Sequence, residues 1–131
     1  MSKNIIIVED DPFSQNFYEY VFRKAGFTSI IIEDGDLLME KLKTMEASLI
    51  IMDINLQNTY LNGEKADGIM ISRYLKQNET YSKIPIILVS AYPVSQNGKN
   101  YFEESLADDY ITKPITDFNF LIGKVNKLIA E

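Results

Sequence analysis

The chain has 131 residues, 46% of them hydrophobic and 24% charged, with a formal net charge of −6; these values fit one domain, residues 1–131, around one hydrophobic core. It contains no cysteine and no histidine, which excludes disulfides, thiolate or imidazole metal sites and phosphohistidine on the chain itself. No apolar run approaches the roughly 20 residues of a membrane span, no signal-peptide pattern follows Met1, and the acidic balance repels phosphates, so the expectation is a cytoplasmic protein that binds neither membrane nor nucleic acid.

The first apolar run, Ile5–Val8, is continuous and β-branched, as in a strand buried on both faces of a parallel sheet. Glu9, Asp10 and Asp11 follow it. Asp11-Pro12 reads as an N-cap with Pro at the first helical position. Phe13, Phe17, Tyr20 and Val21 then form an apolar helical face, and Gly26 ends that helix. A second run, Ser29–Ile32, precedes a helix capped by Asp34 and carrying Leu37, Leu38, Leu42 and Met45. The third run, Leu49–Met52, ends at Asp53. Between Leu56 and Ala66 the chain is rich in Asn, Gln, Thr, Gly, Glu and Lys, and reads as an exposed loop rather than a core element. A helix from about Gly68 carries Ile69, Ile71, Tyr74 and Leu75. The fourth run, Ile84–Val89, ends at Ser90. Asn97-Gly98 interrupts the next segment, so its helix starts late, near Lys99 or Asn100. A weaker fifth run, Asp109–Thr112, ends at Lys113-Pro114; Tyr110 within it reads as a core or half-buried aromatic. The last helix carries Phe118, Leu121, Ile122, Val125, Leu128 and Ile129 at helical spacing.

Strict alternation of the two periodicities gives βαβαβαβαβα, a doubly wound α/β fold. In such a sheet ligands bind beyond the carboxyl ends of the strands. Four strand ends therefore deliver acids, an acid, a hydroxyl and a cation to one edge. Taken singly, each is unremarkable: Asp11 is a cap, Ser90 a loop hydroxyl, Lys113 a solvated charge. Taken together they restrict the chemistry. Clustered carboxylates need a cation, and oxygen-only ligands suit Mg²⁺. An Asp beside Mg²⁺ can attack phosphorus and form an acyl phosphate, a transfer that rests on positioning and charge neutralisation.

The stretches Ile5–Pro12, Leu49–Leu56, Ile86–Ala91 and Ala107–Pro114 together resemble the receiver domains of response regulators (the CheY-like family), and the resemblance covers essentially the whole chain. It implies a five-stranded parallel sheet with strand order 2-1-3-4-5, of flavodoxin-like topology. It implies that Asp53 is phosphorylated by a phosphohistidine on a partner histidine kinase or histidine phosphotransfer protein, and that the chain catalyses this transfer and its own dephosphorylation. Glu9, Asp10, Asp53 and the backbone carbonyl of Asn55 would hold Mg²⁺, Asp10 more directly than Glu9. Lys113 would pair with the phosphoryl oxygens and Ser90 would hydrogen-bond to them. Tyr110 would switch rotamer with Ser90; Asn55 and Tyr92 would tune turnover; and the Lys113–Pro114 bond would be cis. The implied type is a stand-alone receiver in a two-component or phosphorelay system, whose output is contact with a downstream protein.

Three features depart from the family pattern. Gln57 stands where Pro is usual, and Asp67-Gly68 arrives only after a long insertion. Leu106 stands where Gly is frequent, and Asn97-Gly98 falls where the fourth helix normally forms. The insertion reads as a loop that controls a partner or access to the site. The alternative function is a pseudo-receiver, an interaction module independent of phosphorylation. A flavodoxin-like cofactor binder would need a phosphate loop where Glu9-Asp10-Asp11-Pro12 stands. A haloacid-dehalogenase-type phosphatase would need a second Asp where Asn55 stands.

Overall fold

Four short runs rich in Ile, Leu and Val and a weaker fifth form the strands; the three central ones are buried along almost their whole length, and the two edge strands are partly exposed. In the computed structural model, which describes residues 3–129 apart from 92, 94, 97 and 98, they are β1 (Asn4–Val8), β2 (Thr28–Ile32), β3 (Leu49–Asp53), β4 (Ile86–Ser90) and β5 (Asp109–Thr112). All neighbours pair in parallel, in the order β2-β1-β3-β4-β5. This is the doubly wound five-stranded sheet expected from the alternation.

Strand side chains alternate between faces, and the sheet accordingly divides the core into two layers. Ile6, Val8, Ile50, Met52, Ile86 and Leu88 face helices α2 (Gly35–Leu42) and α3 (Gly68–Lys76). Ile5, Ile7, Leu49, Ile51, Ile87 and Val89 face α1 (Pro12–Lys24) and α5 (Phe118–Ile129). A short α4 (Tyr101–Ser105) is capped by Asn100, close to the late start expected near Lys99 or Asn100; Asn97 and Gly98 lie outside the described residues.

The helix ends follow the sequence more closely than the helix faces do. Asp11 caps α1, its Oδ2 accepting from the Ser14 N–H at 2.8 Å. Gly26 closes α1 at φ 87°, donating to Arg23 O while Phe27 N–H donates to Phe22 O, a Schellman arrangement. The buried face of α1, however, is Tyr18, Val21 and Phe22. Phe13 is 84% exposed and Tyr20 is exposed as well, contrary to the expected face. The helix carries two overlapping apolar stripes, and packing on the sheet selects the one rotated by about one residue. Likewise Leu37 points to solvent, and Met45 lies beyond the end of α2. Leu106 ends α4 in the left-handed region at φ 60°, a conformation costly for any residue with a Cβ; this explains why Gly suits that position.

The segment Leu56–Ala66 is exposed over most of its length, as expected, but it is an anchored hairpin rather than an irregular loop. Leu56, Thr59 and Ala66 are buried, and Leu61 packs against the α2–α3 layer. Tyr60–Leu61 and Glu64–Lys65 pair antiparallel around Asn62-Gly63, both at positive φ (55° and 80°). Asn-Gly at positive φ is the signature of a tight two-residue hairpin, a signal present in the sequence and overlooked amid its polar composition.

Candidate functional site

The parallel register aligns the strand ends. Val8 pairs with Met52 and Asp53 with Val89, while Ser90 pairs with Thr112, so Glu9, Asp53, Ser90 and Lys113 emerge along one edge. There the first three are buried and Asp10 is half-buried. A cleft of about 690 Å³ opens above them, walled by Glu33, Asn55, Gln57, Asn58 and Ala91.

Three carboxylates dominate its floor. Glu9, Asp10 and Asp53 each offer an oxygen lying within 4.8 Å of the other two. Among the described residues one cation faces them: Lys113 Nζ stands 3.1 Å from Glu9 Oε1 and 3.4 Å from Asp53 Oδ2. Backbone amides hold the remaining geometry. Asn55 N–H donates to Asp53 Oδ1 at 3.0 Å, Asp11 N–H to Glu9 Oε2 at 3.1 Å, and Gln57 N–H to Asp10 Oδ2 at 2.8 Å.

Two charges there are displaced from their ordinary balance. Burial pushes the Glu9 carboxyl up to about 7; neighbouring Asp53 adds to the rise, while the Asp11 N–H and Lys113 oppose it. Burial also works against the charge on Lys113, yet Asp53 and Glu9 together hold its pKa above the usual Lys value. Carboxylates this close with one ammonium between them retain net negative charge, and an all-oxygen donor set of this kind fits a small hard divalent cation. Beneath the floor, the Tyr18 phenol is shifted upward by burial and by the nearby Glu9 and Asp53.

The other expected residues are distributed around this centre. The Lys113–Pro114 peptide is cis. Asn55 lines the cleft. Tyr110 lies on β5 with its ring 5.3 Å from that of Phe102 of α4; it is 39% exposed rather than part of the core, because β5 is the last strand of the sheet and that side chain leaves beside the short α4. Tyr92 lies outside the described residues. Sequence reasoning missed Gln57, whose contribution is a backbone N–H that no residue-type signal reveals.

Comparison with known proteins gives a consistent picture. The family model for the response regulator receiver domain matches residues 5–126. The chain is 31% identical over 129 residues to the TorCAD operon transcriptional regulatory protein TorR of Escherichia coli, covering 98% of this chain and 51% of that protein. It is 25% identical over 121 residues to the polar-differentiation response regulator DivK of Brucella ovis, covering 92% of each. The chain thus spans about half the length of TorR and nearly all of DivK. Among solved structures, the receiver domain of TorR superposes with a TM-score of 0.80 at 30% identity, covering 98% of this chain and 97% of that one. The receiver domain of a sensor histidine kinase from Pseudomonas aeruginosa, solved with a magnesium ion in its active-site cleft, superposes with a TM-score of 0.83 at 23% identity over 100% of both chains. No described helix is long and apolar enough to cross a membrane.

Proposed function

Since the chain belongs to the response-regulator receiver domains, we propose that it is a single receiver unit, residues 1–131, that takes a phosphoryl group onto Asp53 from a phosphohistidine of a partner kinase or phosphotransfer protein. The donor lies outside residues 1–131, which contain no histidine. The observation that carries this reading is the convergence of Glu9, Asp10 and Asp53 on one point, with Lys113 as the cation that reaches it.

In this reading an Asp53 oxygen attacks phosphorus, a P–O bond forms, and the donor's P–N bond breaks, leaving an imidazole that takes up a proton. Glu9, Asp10, Asp53 and the Asn55 carbonyl would hold Mg²⁺, which fits the all-oxygen donor set. That ion supplies the positive charge that lets an anionic phosphoryl group approach the carboxylates. Asn55 N–H fixes the Asp53 carboxylate for attack. Lys113, held between Glu9 and Asp53, turns to the phosphoryl oxygens as they arrive. Ser90, buried at the end of β4, hydrogen-bonds to the same group. Tyr110, resting on Phe102, carries the change to the surface formed by α4, β5 and α5, where a downstream protein binds. Asn55 and Tyr92 set the access of the hydrolytic water. The formal net charge of −6 favours protein over nucleic-acid contacts, and the proposed place of action is the cytoplasm.

The test is intact mass after incubation with acetyl phosphate and Mg²⁺. The wild-type chain gains one phosphoryl mass and Asp53→Asn gains none. A wild-type chain that stays unmodified, yet binds a partner equally well with and without beryllofluoride, is a pseudo-receiver instead.

A further inference from the structure

We infer that the backbone N–H of Gln57 is a positioning group for the metal site, holding Asp10 in ligand orientation from the base of the Leu56–Ala66 hairpin. The inference rests on the reading of Glu9, Asp10 and Asp53 as the Mg²⁺ ligands, and adds to it a control that originates outside those three residues.

The contact is direct: Gln57 N–H donates to Asp10 Oδ2 at 2.8 Å, across 47 residues of sequence. Asp10 needs such a partner. It is half-buried beside two other carboxylates and makes no ion pair with Lys113, whose described ion pairs are with Glu9 and Asp53. Like charge at this distance drives the most exposed of the three carboxylates outward into water. A charge-assisted hydrogen bond on one oxygen opposes that motion and leaves the other oxygen for a cation.

The donor is itself held on both sides. Leu56 before it and Thr59 two residues after it are buried. Thr59 Oγ1 accepts from the Gly35 N–H at 2.8 Å at the start of α2. Tyr60 N–H donates to Asp34 Oδ1 at 2.6 Å, and the turn amides of Asn62 and Gly63 donate to Asp36 at 2.6 and 3.0 Å. The hairpin is therefore clamped to the N-terminus of α2, and the clamp fixes where the Gln57 amide points. A proline at position 57 would have no N–H to offer. Metal occupancy and hairpin order are then linked, and the linkage runs both ways: what loosens the hairpin weakens the ion, and the ion tightens the hairpin.

The experiment is a Mg²⁺ titration of the metal-free chain, followed by tyrosine fluorescence or calorimetry, for wild type, Gln57→Ala, Gln57→Pro, Thr59→Val and Asp10→Ala. Gln57→Ala keeps the N–H and should stay within about twofold of wild type, whereas Gln57→Pro should bind about five- to tenfold more weakly, as expected for loss of one charge-assisted hydrogen bond. Thr59→Val should fall between the two. Equal or tighter binding by Gln57→Pro and Thr59→Val overturns the inference and means that the amide is idle or competes with the ion. If Asp10→Ala binds Mg²⁺ like wild type, the metal-site reading itself has failed. Should Gln57→Pro not fold, amide exchange decides: the Gln57 proton should exchange at least about tenfold more slowly in metal-free wild type than in Asp10→Ala, and equal rates overturn the inference.

Discussion

Two groups of carboxylates in this molecule are used in different ways. At the start of α2, Asp34 and Asp36 accept from the amides of Leu37, Tyr60, Asn62 and Gly63. Their oxygens are taken up by backbone donors. At the sheet edge, Glu9, Asp10 and Asp53 converge on one another with a single lysine among them. Both groups would read as acidic turn residues in a sequence. The difference is in what each carboxylate faces: Glu9, Asp10 and Asp53 also accept one backbone N–H apiece, but they still face one another within 4.8 Å and so call for positive charge, the condition for binding an ion and an incoming phosphoryl group.

The comparison breaks most sharply at the acceptor. Asp53→Asn should abolish phosphorylation while the fold survives, whereas Asp34→Asn should still accept a phosphoryl group; intact mass with circular dichroism tests both, and a phosphorylated Asp53→Asn refutes the assignment. The next effect is on stability. A Cβ at Gly35 would lie 2.6 Å from the Tyr60 carbonyl oxygen and 2.9 Å from Ile71 Cδ1, so Gly35→Ala must displace the hairpin, at a cost of about 1–3 kcal/mol by chemical denaturation. Asp34→Ala removes the α2 cap and the acceptor of Tyr60 N–H together and should cost about 1–2 kcal/mol. Deleting most of Leu56–Ala66 should likewise destabilise the chain, because buried Leu56, Thr59 and Ala66 leave with it.

The smallest effect is a pH dependence. Glu9 has its carboxyl raised from an ordinary 4.5 to about 7 in the folded, metal-free chain. Between those values the folded protein keeps a proton that the unfolded chain has released, so stability falls as pH rises through that window. The contribution is fully present below about 4.5 and its loss is complete above about 7. Glu9→Gln should flatten this slope, and Asp34→Asn should not; thermal melts in chelator from pH 4.5 to 8 distinguish them. Mg²⁺ should bind more weakly toward the acid end of the same range, because it must displace the Glu9 proton.

The strands, the order of elements and the cleft-edge set of Glu9, Asp10, Asp53, Ser90 and Lys113 were legible in the chain itself. Continuous β-branched runs have few structures open to them, and the first polar residue after each parallel strand has to emerge on the same edge. Helix caps were legible for a similar reason: Asp11, Asp34 and Gly26 act within one turn of their own position. What tertiary structure decided were the choices among locally equivalent options. The apolar stripes of α1 differ by a single residue, and only contact with the sheet selected Tyr18, Val21 and Phe22 over Phe13 and Tyr20. The Asn62-Gly63 hairpin could form anywhere along the surface until Asp34 and Asp36 offered acceptors for its amides. Gln57 gained its place at the site through its backbone, whose N–H is common to every residue but proline and acquires meaning only when folding brings Asp10 to within 2.8 Å of it.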